Sequence, residues 1–392
     1  MQLGHSALAR SLRTTLSGGT LVVFLLGMAT MARADKTTGT WTGVVETRGN
    51  YYWETSTRVV APSVRAELAA PNGLRLSADY LVDTITSASV GAGLVSDVRF
   101  TEIRHDVALG GGYDFDLGAS ELSLNGRVRT SMEPDYNSYS ASLTSALALN
   151  ERATLFTLNA SFLHDDVGKI LRGADRIGTD GRNLSDRGQV GVLNVLALSG
   201  EFTQVLSPTV FVDLGYDLGV LNGFQANPYR SLSVGGVMQA ENHPDERWRH
   251  SFYGRLAWYI RPTHSALHLM YRTYVDSWDI AAITPEARVY QELGESATLR
   301  LRYRYYAQTR AYFQRPVSEY QADDVYVTND PKMTAFHSHL LGGQLVLKLG
   351  FLEDSALHFA RDATLDVSFD YIWNTNRYGN GVIAQVGVRL PF

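Results

Sequence analysis

The sequence of 392 residues contains no cysteine, which excludes a disulfide framework, a thiolate metal site and a cysteine nucleophile. No Pro/Ser-rich linker and no break in composition divides it after roughly the first thirty positions, so one continuous architecture is expected rather than a string of domains. Beyond that point it also lacks any apolar run approaching the roughly 20 residues that a spanning helix needs. A basic excess is missing as well: the net charge of −5 argues against a general nucleic-acid binder, although local basic patches remain open. A chain without disulfides must draw its stability from extensive backbone pairing and burial, and a closed barrel supplies both.

What the sequence does have is alternation. In residues 298–308, TLRLRYRYYAQ, one phase holds Leu299, Leu301, Tyr303 and Tyr305 and the other holds Arg300, Arg302, Arg304 and Tyr306. A period of two separates an apolar face from a cationic one, and a helix would mix them. The pattern recurs too often for every apolar face to pack into one dry core, so these faces are expected to meet lipid. Alternation also hides such strands from a hydropathy average.

The N-terminus places Arg10 and Arg13 before an apolar run at 20–28 and then Ala32-Arg33-Ala34, the order of a secretory signal peptide. Residues 1–34 are therefore read as a cleaved signal and 35–392 as an all-β transmembrane antiparallel barrel. Asn72-Gly73, Arg261-Pro262-Thr263 and Gly294-Glu295-Ser296 are short turns between alternating segments, whereas 165–188 and 310–331 are long and polar. Short turns at one end and long loops at the other mark an outer-membrane barrel. Residues 221–247 hold a pair of short strands that loop parity keeps outside the membrane, and the connection at 350–362 is expected to hold a short helix. The last strand, 381–392, sets Val382, Ala384, Val386, Val388, Leu390 and Phe392 on one face. The tally is about 16 strands, an even number as single-chain bacterial barrels require.

Five phrases carry a resemblance: YLVDTITSAS at 80–89, FTEIRHDV at 100–107, NPYR at 227–230, YRTYVDSWDI at 271–280 and LRYRYYAQTRAYF at 301–313. Together they resemble the bacterial family known as Domain of Unknown Function 3570. That resemblance implies an exported outer-membrane barrel and carries no activity to transfer. The closing Phe392 likewise resembles the assembly signal of bacterial outer-membrane proteins, which implies the outer-membrane assembly machinery and outer-membrane lipid as partners.

Four neighbouring strands direct Arg249, Tyr253 and Arg255, then His268, Arg272 and Asp276, then Glu286, Arg288 and Tyr290, then Arg300, Arg302 and Arg304 into the lumen. Closely spaced charge in a confined aqueous lumen would orient an anionic or polar solute. The same residues, with acids among the arginines, would equally form a salt-bridge lattice that stiffens the wall. A second group, Asp79, Asp83, Glu102, Arg104 and Asp106, would set a transverse field against that ladder if it remained acidic. Tyr274, Trp278, Tyr305, Tyr306, Tyr312 and Phe313 are expected as girdle and loop-packing aromatics. His337 and His339 share a face without a third ligand, His164-Asp165-Asp166 lacks a catalytic partner, and Asp323, Asp324 and Asp330 lack the spacing of a calcium loop, so no catalytic, metal or cofactor assignment follows. The expected function is passage or binding of a small polar or anionic solute in the bacterial outer membrane. The alternative is a non-conducting barrel that anchors or receives an exported partner protein through its outer loops.

Overall fold

The computed structural model describes residues 40–55, 57–87, 100–170 and 187–392, with no side chains described at 86–87, 100–102, 170 and 187. The segment 1–34, expected as a signal, lies outside the described residues. Eighteen strands follow in order: β1 (Thr42–Glu54), β2 (Thr57–Ala69), β3 (Leu74–Ser87), β4 (Phe100–Asp116), β5 (Ser120–Met132), β6 (Tyr136–Leu149), β7 (Thr154–Ile170), β8 (Arg187–Ser207) and β9 (Val210–Gly223). The remainder are β10 (Ser231–Val234), β11 (Val237–Ala240), β12 (Glu246–Ile260), β13 (Ser265–Asp276), β14 (Ala281–Leu293), β15 (Ala297–Gln308), β16 (Phe336–Lys348), β17 (Thr364–Asn374) and β18 (Gly381–Pro391). Sixteen of them close into one barrel, each beside its neighbour in sequence, while β10 and β11 pair only with each other and stand outside the wall as loop parity required.

Closure is made by β1 against β18, in unbroken antiparallel register from Val44↔Pro391 to Glu54↔Gly381. The backbones of Gly43 and Phe392 extend the ladder, donating to each other's carbonyls at 2.8 and 2.9 Å. The Phe392 ring lies so close over Gly43 that a Cβ there would collide with it, which explains the glycine at this point of the seam. The period of two then sorts the side chains. Leu109, Leu143, Leu158, Leu214 and Leu301 are each more than half exposed on the outside of the wall. A band of this kind around the circumference is unsuited to water and is covered by lipid.

At one end the connections are tight. Asn150, Glu151 and Arg152 turn the chain with φ of 52, 55 and 67°, and Gly294 does so with φ of 67°. The longest connection here, between β16 and β17, contains two 3-10 turns, Gly350–Leu352 and His358–Ala360, in place of the single short helix expected.

At the other end the loops at 224–245, 277–280 and 309–335 fold together into a cap. One apolar cluster joins Trp278, Ile280, Ala311, Phe313 and Met333, with Tyr274 and Tyr326 against it. Another joins Leu232, Val234, Tyr320 and Val327. A single backbone bridge, Asn242↔Val327, ties the two long loops directly. The aromatics expected as a girdle divide accordingly: Trp278 and Phe313 are buried in the cap, while Tyr274 and Tyr306 line the lumen because they share the phase of Arg272 and Arg304.

An epitope inserted after Asp323, at the exposed tip of the cap, should be labelled on intact cells, and one inserted at Glu295 should be labelled only after permeabilisation; the reverse pattern would put the cap on the periplasmic side. Removing residues 381–392 leaves β1 and β17 with unpaired edges in lipid. Such a chain should lose the heat-modifiable folded band on gel electrophoresis, and a normal yield of that band would refute closure through β1 and β18.

Candidate functional site in the lumen

The lumenal phase of the wall is dominated by charge pairs, some between adjacent strands, some across one intervening strand and some along a single strand. Arg302 on β15 donates through Nε to Asp370 Oδ1 on β17 at 2.7 Å, and a second guanidinium nitrogen bonds the other carboxylate oxygen. This forked geometry fixes the carboxylate in two directions. Glu286 on β14 accepts from Arg304, which stands opposite it in register, and from Arg288 two residues along its own strand. Asp213 on β9 is paired with Arg255 on β12.

The group on β3 to β5 is organised in the same way. Asp83 is buried against Arg104, which lies opposite it in register, and Asp106 accepts from Arg129 Nε at 2.7 Å. Asp79 accepts from Arg127 at 2.7 Å. These strands lie nearly half-way round the barrel from β15, as the transverse field would need. Each of these three carboxylates, however, is matched by an arginine within its own group, so the expected acidic patch is neutralised where it stands. The Glu102 side chain lies outside the described residues.

Asp276, expected in the lumenal track or lattice, is held by Arg247 and by the turn that follows it. It is fully enclosed, accepting from Arg247, from the Tyr274 hydroxyl at 2.7 Å, and from the backbone N–H groups of Trp278 at 2.9 Å and Ile280 at 3.0 Å. It therefore fastens the β13–β14 turn beneath the cap. Arg272 is held more loosely, donating to Ser251 Oγ at 2.5 Å and standing 3.6 Å from Asp217. The Nε of Arg300 is buried without a hydrogen-bond partner.

Two adjoining cavities open on this wall. The inner one, of 480 Å³, is lined by Arg272, Glu286, Arg304, Asp217 and Tyr253. The outer one, of 1150 Å³, lies under the cap and shares Tyr306, Ser338 and Ile372 with it. Arg230, Arg247, Arg249 and Lys332 supply its cations and Glu54 and Asp330 its acids. Arg230 is engaged by Asp330 at 2.9 Å and Glu241 at 3.3 Å, and Arg247 by Asp276 while its guanidinium lies 4.0 Å from the centre of the Trp278 ring. Arg249 and Lys332 make no ion pair among the described residues, and Arg249 Nε is buried without a hydrogen-bond partner. The charged residues that line the cavity itself are thus four cations and two acids. Nearby in the β17–β18 loop, burial first and then the Arg230 charge push the Arg377 guanidinium down.

Behind this cavity the cap contains a buried polar knot. The Thr328 hydroxyl is shared between Glu241 Oε1 at 3.1 Å and His243 Nε2 at 3.0 Å, and His243 Nδ1 lies 3.2 Å from the Gln225 carbonyl. Burial pushes the His243 imidazole down to about 4, so it is neutral at neutral pH, and raises the Glu241 carboxyl despite the attraction of Arg230. The knot holds both long loops to one another over the cavity.

The remaining histidine and acidic groups resolve geometrically. His164 faces lipid and Asp165 the lumen, where it accepts from the Tyr136 hydroxyl at 2.5 Å, so alternation splits that tripeptide across the wall. Asp330 is taken by Arg230 and Asp324 lies 3.5 Å from Arg315, and no cluster of three potential metal ligands occurs among the described residues. Periodicity placed Arg249 on the lumenal face without singling it out. It could not place Arg230 or Lys332, which sit in loops without a period; only the phrase NPYR touched Arg230.

No curated protein matches the chain. Among solved structures, the outer membrane protein OprD from Pseudomonas aeruginosa aligns at 9% identity with a TM-score of 0.41, over 90% of this chain and 94% of that one. A loop-deletion mutant of OmpT, an outer membrane protein of Vibrio cholerae, aligns at 9% and 0.44, over 90% and 99%. The siderophore receptor PirA from Acinetobacter baumannii aligns at 11% and 0.44 over 87% of this chain, which spans only 53% of that receptor. The model of a protein family of unknown function, DUF3570, matches residues 96–388, and the chain belongs to that family.

Proposed function

We propose that this protein is a bacterial outer-membrane barrel that binds a small anionic or polar solute in the cavity beneath its cap and passes it along the lumen. The observation that carries the reading is the cationic lining of the 1150 Å³ cavity, in which Arg249 and Lys332 make no ion pair among the described residues. A guanidinium stays charged at any physiological pH, and low-dielectric walls focus its field on the enclosed water. Tyr52, Tyr274, Tyr306 and Tyr378 add aromatic surface and hydroxyl groups around the same space. The paired charges lower in the wall hold its shape, and the arrangement asks for no catalytic group.

The alternative, a non-conducting barrel that receives an exported protein, is favoured by one feature. The cap is packed over its own apolar clusters, yet Val237, Met238 and Val325 stand 69, 51 and 68% exposed on it.

Planar-bilayer recordings in a salt gradient separate the two. The protein should conduct with anion preference, and the double variant Arg249→Gln, Lys332→Gln should move the reversal potential toward cations. Absence of both conductance and solute binding would reject the channel and leave the docking reading. Arg302→Gln serves as the contrasting case, because it strands buried Asp370 and should cost about 3–5 kcal/mol of unfolding resistance. Selectivity should scarcely change in that variant; a large shift in reversal potential with unaltered stability would show that the wall lattice, rather than the cap cavity, selects the ion.

A further inference from the structure

Three of the lipid-facing histidines, His105, His250 and His339, are each held by a tyrosine from the preceding barrel strand. Tyr80 stands opposite Val107, Tyr216 opposite Phe252 and Tyr303 opposite Leu341. In every case the tyrosine leans diagonally to the histidine two residues nearer the cap. The hydroxyl of Tyr80 lies 2.9 Å from His105 Nδ1, that of Tyr216 2.8 Å from His250 Nδ1, and that of Tyr303 2.7 Å from His339 Nδ1. The same pair is thus built three times, on β3–β4, β9–β12 and β15–β16, spaced around the ring.

All three lie at one level. His105, His250 and His339 each fall within the first six residues of a strand descending from the cap end. His339 is opposite Trp373 in register, and Trp248 lies one step above His250 on the same face. With Trp53 these tryptophans are 39 to 47% exposed and form the rim of aromatics found where hydrocarbon gives way to headgroups. Arg58, opposite Trp53, adds an exposed cation to that rim.

A neutral imidazole has one donor and one acceptor nitrogen. A phenol donating to Nδ1 makes that nitrogen the acceptor and leaves the proton on Nε2. Each dyad therefore offers an N–H donor at the edge of the hydrocarbon, where an unmet donor is costly. Headgroup oxygens are the acceptors available at that depth, and an ionised phosphate forms the stronger, charge-assisted bond. We propose that the three Tyr–His dyads are docking points for phosphate-bearing lipids of the cap-side leaflet. This rests on the membrane-spanning barrel and not on the identity or passage of a solute.

The test is native mass spectrometry of the full barrel after reconstitution in vesicles of the phosphate-free lipid digalactosyldiacylglycerol doped with lipid A or with its dephosphorylated form. Wild-type protein should retain lipid A in clear preference to the dephosphorylated lipid. The variant His105→Phe, His250→Phe, His339→Phe should lower that retention by roughly tenfold, the effect of a lost charge-assisted hydrogen bond. Tyr80→Phe, Tyr216→Phe, Tyr303→Phe should give a smaller loss, because it frees the tautomer and spares the ring. The single histidine variants, each reducing retention in part, cover the case in which the triple variant does not fold. Equal retention by folded wild-type and variant barrels would overturn the proposal, as would displacement of lipid A by inorganic phosphate, which would assign the sites to a free anion.

Discussion

A peptide group in hydrocarbon has no water to turn to, and this one constraint orders the whole molecule. It forbids a free strand edge, so β1 must find β18 although they lie at opposite ends of the barrel sequence, and the Gly43–Phe392 bonds complete that seam. Once the backbone is committed to a closed sheet, the pleat leaves each side chain only two destinations, lipid or lumen. The apolar phase then covers the outside, and every charged residue in the other phase is driven into a narrow shared interior.

Such crowding explains why the lumen reads as pairs rather than as opposed patches. A carboxylate enclosed by wall and neighbours is stable only with a partner, and the nearest cation is on the next strand. Asp83 with Arg104 and Glu286 with Arg304 follow this rule, while Asp370 reaches Arg302 over β16, where Gly342 leaves the room. Cations without an ion pair persist where the wall ends and the cap begins. There the loops bring in Arg230 and Lys332, and only some of the charges find partners of opposite sign.

Much of the wall was legible in the sequence because its signal is periodic. The phase of Leu299 to Tyr305 against Arg300 to Tyr306 was enough to assign faces, and turn chemistry at Asn72-Gly73 and Gly294 assigned the ends. Pairing was not legible, since register joins residues far apart in the chain: nothing local says that Arg302 meets Asp370. Asp276 shared the lumenal phase but sits at a strand end, where the following turn folds back and claims its carboxylate through the N–H groups of Trp278 and Ile280. Of the cap, only the short strand pair within 221–247, the long loop at 310–331 and the loop-packing aromatics could be foreseen; how the loops join could not, because loops without a period leave neither face nor depth to read.

The bridge between Asn242 and Val327, backed by Arg230 reaching Asp330 across the two loops, gives the cap a mechanical character that separate loops would lack. Neither loop can swing aside alone without tearing a backbone pair and exposing a buried charge to the other's absence. The two must therefore move as one body on four hinges, at the ends of β9, β12, β15 and β16. Any parting of the cap is then a cooperative event with a free energy of local unfolding behind it, rather than the rapid flicker of an independent loop.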